Sequence, residues 1–162
     1  MTLFQICHWL NDTRLATSIR ESEVVFPVIE AVHVLAIALL AGTVAIVDLR
    51  LLGLILKRER VSLVAGRLLP LTWAGFAVML ASGALLFLAE AAKSCANPVF
   101  RLKMLLLLAA GLNPLVFHRT IYRSVAEWDQ APVVPRRARV MALLSLSLWS
   151  GIIVAGRAIA YY

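Results

Sequence analysis

Four long apolar segments, joined by short polar connectors, dominate the sequence. Each segment exceeds the ~20 residues that an α-helix needs to cross the hydrocarbon core of a bilayer. We place them at about residues 24–56, 62–92, 99–123 and 137–161. Prolines that cannot continue a helix, such as Pro98 and Pro135, lie in the connectors. The pattern predicts an all-α integral membrane protein, a four-helix bundle that forms one domain over residues 1–162.

The composition is that of a membrane protein. Hydrophobic residues make up 62% of the chain, whereas soluble domains contain about 45–50% apolar residues. The net charge of +7 does not indicate nucleic-acid binding. The basic residues cluster at the ends of the apolar segments, where they attract anionic lipid headgroups. The expected partner is therefore the lipid bilayer and not a nucleic acid.

The N-terminal segment predicts an amphipathic helix over about residues 3–20 that lies on the membrane surface. One of its faces is apolar and would contact lipid: Leu3, Phe4, Ile6, Trp9 and Leu10. Asn11, Asp12 and Arg14 would face water. The segment lacks a basic start followed by a small-residue cleavage site, so we do not expect a removed signal peptide.

Basic residues predict the orientation of the chain. They surround the first and third connectors: Arg50, Lys57, Arg58, Arg60, Arg67, Arg119, Arg123, Arg136, Arg137 and Arg139. By the positive-inside rule, connectors 57–61 and 124–136 are cytoplasmic. In a bacterial inner membrane both termini and the middle connector then face the periplasm. Cys7 and Cys95 would both lie on that oxidising side, either as a disulfide or as two free thiols packed among apolar side chains.

Ionisable residues inside the apolar segments are the candidate functional residues, because such side chains are costly in lipid and usually face the bundle interior. Glu30, His33 and Asp48 share one face of the first segment at 100° per residue. Lys103 and His118 lie about 60° apart on the third segment.

Depth along the helices divides these residues into two layers. The outer layer contains Glu30, His33, Lys103 and Arg157. A secondary polar layer lies about 22 Å deeper and contains Asp48, Arg50, Arg67 and His118. His33 and His118 are therefore too far apart to bind one metal ion, and no CxxC, HxxxH or HExxH motif is present.

The whole chain resembles a family of uncharacterised small bacterial membrane proteins, known only as a domain of unknown function. The segments that carry this resemblance are FPVIEAVHVLA, VDLRLLGL, WAGFAVML, NPVFRLKMLLLLAAGLN and WSGIIVAGRAIAY. More loosely, His33 followed by Gly42 and Arg50, with Lys103 in the opening turns of the third segment, is similar to the four-helix protoporphyrinogen oxidase family, which binds haem b. That likeness implies functional roles for His33 and Lys103 and an oxidoreductase activity.

Haem b would suit these residues, since a flat apolar macrocycle fits a slot between helices. His33, oriented by Glu30, would be the metal ligand, with Arg157, Arg101 or Lys103 as partners of the propionates. The second ligand is unassigned, although His8 on the surface helix could reach the layer. Electrons would be exchanged with a quinone or a periplasmic redox partner.

Two other hypotheses remain. In one, the same charged residues form ion pairs that fix the helix register, and the chain is a cofactor-free accessory subunit or homo-oligomer that contacts a larger complex. In the other, the residues form a proton or ion route. The stretch Val34–Val47 offers only Thr43 as a polar carrier, which argues against a continuous route through the first helix.

Overall fold

The computed structural model describes residues 2–129 and 134–161, except for the side chains of Leu3 and Ala160. Its helices are α1 (Leu3–Asn11), α2 (Arg14–Arg20), α3 (Val25–Leu51), α4 (Val61–Ala89), α5 (Ala91–Ala96), α6 (Pro98–Thr120), α7 (Val125–Trp128) and α8 (Arg136–Ala158). Short 3-10 turns at Tyr122–Ser124 and Ile159–Tyr161 follow α6 and α8. Four of these helices, α3, α4, α6 and α8, are long and apolar enough to cross a membrane. The predicted all-α four-helix membrane bundle is confirmed.

The bundle consists of two helical pairs. Helix α3 packs along α4, α6 packs along α8, and contacts between α3 and α8 join the pairs. Helices α4 and α6 meet where the rings of Phe87 and Phe100 stack with centroids 5.6 Å apart. The short helices α1, α2 and α5 cover this same end. We call it the disulfide end because Cys7 of α1 is bonded there to Cys95 of α5. The other end contains α7 and the connectors that follow α3 and α6, and we call it the Trp128 end.

Large apolar side chains point outward from all four long helices. Examples are Leu35 on α3 (70% exposed), Leu80 on α4 (58%), Leu108 on α6 (65%) and Val154 on α8 (68%). A helix that is apolar all round must be surrounded by protein or lipid, and these faces have no protein cover in the monomer. The long helices therefore contact the lipid bilayer.

A glycine ends α3 five residues before the predicted boundary near residue 56. Gly53 has a positive φ of 73°, which glycine adopts without steric cost. Its N–H donates to Arg50 O at 3.0 Å, and the N–H of Leu54 donates to Leu49 O at 3.0 Å. This pair of hydrogen bonds is the Schellman motif, which satisfies the last carbonyls of a helix.

The N-terminal segment forms two helices, where the sequence predicted one. Thr13 breaks the segment because its hydroxyl accepts a hydrogen bond from Ala16 N at 3.3 Å and caps α2. On α1, Phe4 and Trp9 are exposed as expected for the lipid-facing side, at 49% and 63%. Arg20, at the end of α2, donates to Ala89 O at 2.8 Å and so ties this segment to the end of α4.

A disulfide joins Cys7 of α1 to Cys95 of α5, with the Cα atoms 6.5 Å apart. Of the two alternatives for these cysteines, the structure has the bond and not the free thiols. Cys7 is 2% exposed and faces α5 from the side of α1 opposite to Trp9. The bond clamps the surface segment to the connector between α4 and α6.

The Trp128 end is held by an apolar cluster. Its members, each less than 10% exposed, are Leu51, Val61, Trp128, Val134 and, on α8, Ala138 and Ala142. Beside the cluster the carboxylate of Asp129 accepts hydrogen bonds from Ser62 N at 2.8 Å and Ser62 Oγ at 2.5 Å. This end therefore closes around buried aliphatic and aromatic side chains.

Candidate functional site

His33 of α3 is held in one orientation by Ser82 of α4. The distance from His33 Nδ1 to Ser82 Oγ is 2.9 Å. Ser82 donates its only hydroxyl proton back to the helix, to Val78 O at 2.6 Å, so its oxygen must accept a proton from Nδ1–H. In the neutral ring the lone pair then lies on Nε2, which is the atom available to a metal or another donor.

Gly83 lets the imidazole lie directly on the backbone of α4. A Cβ atom at this position would approach His33 Cε1 to 3.0 Å, which is closer than unstrained carbon atoms come. Only glycine therefore fits here without moving the ring. The half-buried position of His33 follows from this close approach of α3 and α4.

Lys103 of α6 reaches the same region from the other helical pair. Its Nζ packs against Gly156 of α8, where a Cβ atom would lie 3.4 Å away. The ammonium group acts electrostatically on His33. Lys103 is partly buried, and no hydrogen bond or ion pair joins its ammonium group to any other residue that the structure describes. We call His33, Ser82, Gly83, Lys103 and Gly156 the His33–Lys103 cluster.

The remaining predicted outer-layer residues lie outside this cluster. Glu30 is exposed on α3 and has no hydrogen-bond or ion-pair partner among residues 2–129 and 134–161, so it does not pair with Arg157 and does not orient His33. Arg157 lies over the ring of Tyr161, with Cζ 5.7 Å from the centroid. Arg101 is exposed and donates to Ala96 O at 3.3 Å.

The secondary polar layer is not assembled as a group. Asp48 and Arg50 are buried, at 6% exposure each, whereas Arg67 and His118 are exposed on α4 and α6. His118 stacks on Tyr122 with ring centroids 4.7 Å apart. Helical periodicity could not say which of these residues faced the interior.

Asp48 and Arg50 do not form an ion pair with each other. Arg50 donates from Nε and Nη2 to Glu59 O, at 2.8 Å and 2.6 Å, and so ties the end of α3 to the following connector. Asp48 interacts with the side chain of Ser145 on α8, and its Oδ2 atom is buried without a hydrogen-bond partner among the residues that the structure describes. In the part of the chain that the structure describes, no two of the predicted charged residues form an ion pair, so none fixes the helix register in this way.

A comparison with known protein families identifies the family of this chain. Residues 19–162 match a family of unknown function, DUF6644. The chain belongs to this family. The match runs from α2 to the C-terminus, so it includes the whole His33–Lys103 cluster and Cys95 but not Cys7. No curated protein and no solved structure matches the chain.

Ser82 is the residue of the cluster that sequence reasoning missed. It occurs in the apolar stretch Leu80–Leu86 without charge or motif, and a serine in a membrane helix commonly bonds only to its own backbone. The available signal was the Ser82–Gly83 pair, a hydroxyl next to a residue without a side chain. Its pairing with His33, forty-nine positions earlier, depends on how α3 packs on α4.

Within the described residues, no three His, Cys, Asp or Glu side chains come together as a metal site. A haem iron needs only one or two protein ligands, because the macrocycle supplies four nitrogen atoms. The residues present fit such a group in two respects: Nε2 of His33 is unprotonated in the neutral ring, and Lys103 has no anionic partner among the residues that the structure describes.

Proposed function

We propose that this member of DUF6644 is a b-type haem- or porphyrin-binding membrane protein with a role in electron transfer, and that His33 would bind the haem iron. One observation carries the proposal. Ser82 fixes the Nδ1–H tautomer of His33 through a 2.9 Å hydrogen bond, which is the arrangement found behind metal-ligating histidines. With Nδ1 bonded to Ser82, the lone pair on Nε2 is the one that would bind a haem iron.

Lys103 is the proposed partner of a haem propionate. It is a cation inside the bundle without a counter-charge among the described residues, and burying such a group is costly unless an anion accompanies it. Arg101 and Arg157, at the same end of α6 and α8, are further candidates for the second propionate. Both guanidinium groups are exposed and form no ion pair with a residue that the structure describes.

The chemistry that haem would supply is one-electron exchange at its iron. The role of the chain is to hold and orient the group. Ser82 fixes the imidazole plane, Gly83 makes room for the ring, and Gly156 makes room for Lys103, which would neutralise negative charge. An electron partner, either a quinone or a periplasmic redox protein, would approach from the disulfide end.

The proposed location is the bacterial inner membrane with the disulfide end in the periplasm. Two features support this orientation. Disulfides persist in oxidising compartments, and the connectors at the opposite end contain Lys57, Arg58, Arg123, Arg136 and Arg137, as the positive-inside rule requires. Alkaline-phosphatase fusions after residue 95 and after residue 58 test it, with activity expected only for the first.

The visible spectrum of the detergent-purified protein, air-oxidised and then reduced with dithionite, tests the proposal directly. We expect a Soret band and, after reduction, separate α and β bands. His33→Ala should remove them, whereas His118→Ala, a matched change of an exposed histidine at the other end, should leave them unchanged. Absence of a haem spectrum after expression with added haem precursor, or a spectrum that survives His33→Ala, would overturn the proposal.

The second candidate function is that of an accessory or interaction subunit, either in a homo-oligomer or in a larger membrane complex. The observation that favours it is Glu30, an exposed carboxylate on the membrane-spanning helix α3 that has no described partner. Such a residue is costly next to lipid and is satisfied when a neighbouring chain supplies a donor. If the haem spectrum is absent, cross-linking in native membranes should yield a complex that Glu30→Gln abolishes.

A further inference from the structure

A cavity between the end of α6 and the start of α8 is separate from the His33–Lys103 cluster and lies at the Trp128 end. Its volume is about 640 Å³, and it is lined by Thr120, Ile121, Arg136, Arg137, Val140 and Met141. Ile121, Val140 and Met141 form the apolar wall. Arg136 and Arg137 form a cationic wall on α8, one helical turn before Val140 and Met141, and no acidic residue among those that the structure describes lines the cavity.

The cationic wall is available to an external anion. Both arginines are exposed, and neither forms an ion pair with a residue that the structure describes. The N-terminus of α8 adds to this positive potential, since its N-cap residue, Pro135, provides no side-chain hydrogen bond to the first-turn N–H groups. Phosphate is the anion that paired guanidinium groups and free backbone N–H groups bind best.

The apolar wall identifies the source of the phosphate. The cavity is far larger than an inorganic phosphate, and its apolar side chains lie at the end of α6 and in the first two turns of α8, two helices that are long and apolar enough to cross a membrane. A ligand that contacts both walls needs a phosphate group joined to a hydrocarbon chain. We propose that this cavity binds one anionic phospholipid, with its phosphate at Arg136 and Arg137 and an acyl chain against Ile121, Val140 and Met141.

Native mass spectrometry of the full-length protein in detergent tests the site, using phosphatidylglycerol and phosphatidylcholine of equal chain length. We expect phosphatidylglycerol to be retained preferentially as a single adduct. Replacing both arginines with glutamine should weaken its binding about thirty-fold, since each basic residue near an anionic headgroup contributes about fivefold.

A matched control removes the same charge elsewhere at this end. Lys57→Gln with Arg58→Gln takes two exposed basic residues from the connector after α3, neither of which lines the cavity. Because neither side chain contacts a ligand in the cavity and salt screens exposed charges over about 8 Å, this variant should bind phosphatidylglycerol within about twofold of the wild type. An equal loss in both double variants would mean diffuse attraction to the surface, which overturns the proposal.

Two further measurements test the apolar and the cationic wall separately and distinguish a bound lipid from a free phosphate ion. Val140→Trp fills the apolar side without changing charge and should weaken adduct formation by either lipid. Arg136→Lys with Arg137→Lys, which keeps both charges, should retain most binding and shows that loss in the glutamine variant is not misfolding. Displacement of phosphatidylglycerol by equimolar inorganic phosphate, or unaltered binding in Val140→Trp, would refute a lipid as the occupant.

Discussion

Buried polar side chains find their partners in different ways at the two ends of the bundle. At the disulfide end, His33, Ser82 and Lys103 come together across the helices, with glycines at the contact points and a covalent bond nearby. At the Trp128 end an apolar cluster fills the space, and buried Arg50 is satisfied by a backbone carbonyl of its own connector. At the Trp128 end the buried guanidinium group is therefore satisfied by the backbone, whereas at the disulfide end the ammonium group of Lys103 has no ion-pair partner among the described residues.

The largest expected effect comes from removing the covalent bond at the disulfide end. Cys7→Ser with Cys95→Ser should lower the free energy of unfolding by about 2–4 kcal/mol, because the bond closes a long loop in the unfolded chain. Thermal unfolding in detergent, with and without reductant for the wild type, measures the loss. Amide exchange should rise in α1 and α5 and stay unchanged around Trp128; an equal rise at both ends would show that the ends are not independent.

Arg50 and Asp48 differ in whether their polar atoms are satisfied, and this difference can be measured. Arg50→Met should cost about 1–3 kcal/mol, since it removes two hydrogen bonds to Glu59 O in a poorly solvated position. Asp48→Asn should change stability by less than about 0.5 kcal/mol or increase it, because Oδ2 has no partner to lose and a neutral amide is less costly to bury. Denaturant unfolding of both variants gives the two values, and the opposite order would contradict this account of the Trp128 end.

Gly83→Ala tests whether the His33 ring depends on its contact with α4. The added methyl group would lie 3.0 Å from Cε1, so the ring must move and its hydrogen bond to Ser82 must lengthen. Gly66→Ala is the control on the same helix, because a Cβ atom there meets nothing within 4 Å. Imidazole ¹⁵N chemical shifts should change for Gly83→Ala only; unchanged shifts would mean that the ring position is not set by this glycine.

The smallest expected effect is a pH dependence at the Trp128 end. Burial raises the pKa of Asp129. The hydrogen bonds from Ser62 and the charge of Arg60 lower the pKa by more than burial raises it, so it lies below its usual value of 3.8. A carboxyl group with a depressed pKa stabilises the fold above its unfolded pKa and loses that contribution as the pH falls through the folded value.

The melting temperature of the wild type should therefore decrease as the pH falls below about 4. In Asp129→Asn this part of the decrease should be absent, and at neutral pH the variant should already melt slightly lower. Parallel curves for the two proteins would show that the Ser62–Asp129 contact does not contribute to stability.

Much of the fold could be predicted from local patterns. The lengths of the apolar segments specified four membrane helices, and Pro98 marked the start of α6, where Asn97 Oδ1 caps Val99 N at 2.8 Å. The end of α3 was misplaced because the leucines that follow Gly53 continue the apolar pattern, whereas the positive φ of that glycine ends the helix. The break at Thr13 was missed for a similar reason, since the amphipathic pattern continues through the cap.

The candidate site was predicted only in part. His33 and Lys103 were identified from the cost of ionisable groups in lipid, and the structure brings them into electrostatic range. Glu30 was assigned to the same face as His33 by periodicity, but the 60° between them is enough to leave the carboxylate exposed. Which side of a uniformly apolar helix faces its neighbours is not determined by that helix alone.

The sequence by itself determined that this chain crosses a membrane four times and which polar residues lie within the spans, because chain length and hydropathy are local properties. Only the tertiary structure decided that Ser82 accepts from His33, that Lys103 packs on Gly156, and that Cys7 is joined to Cys95. Each of these contacts joins residues far apart in the chain. They depend on where glycines allow two helix backbones to approach, a property of helix pairs that no single segment encodes.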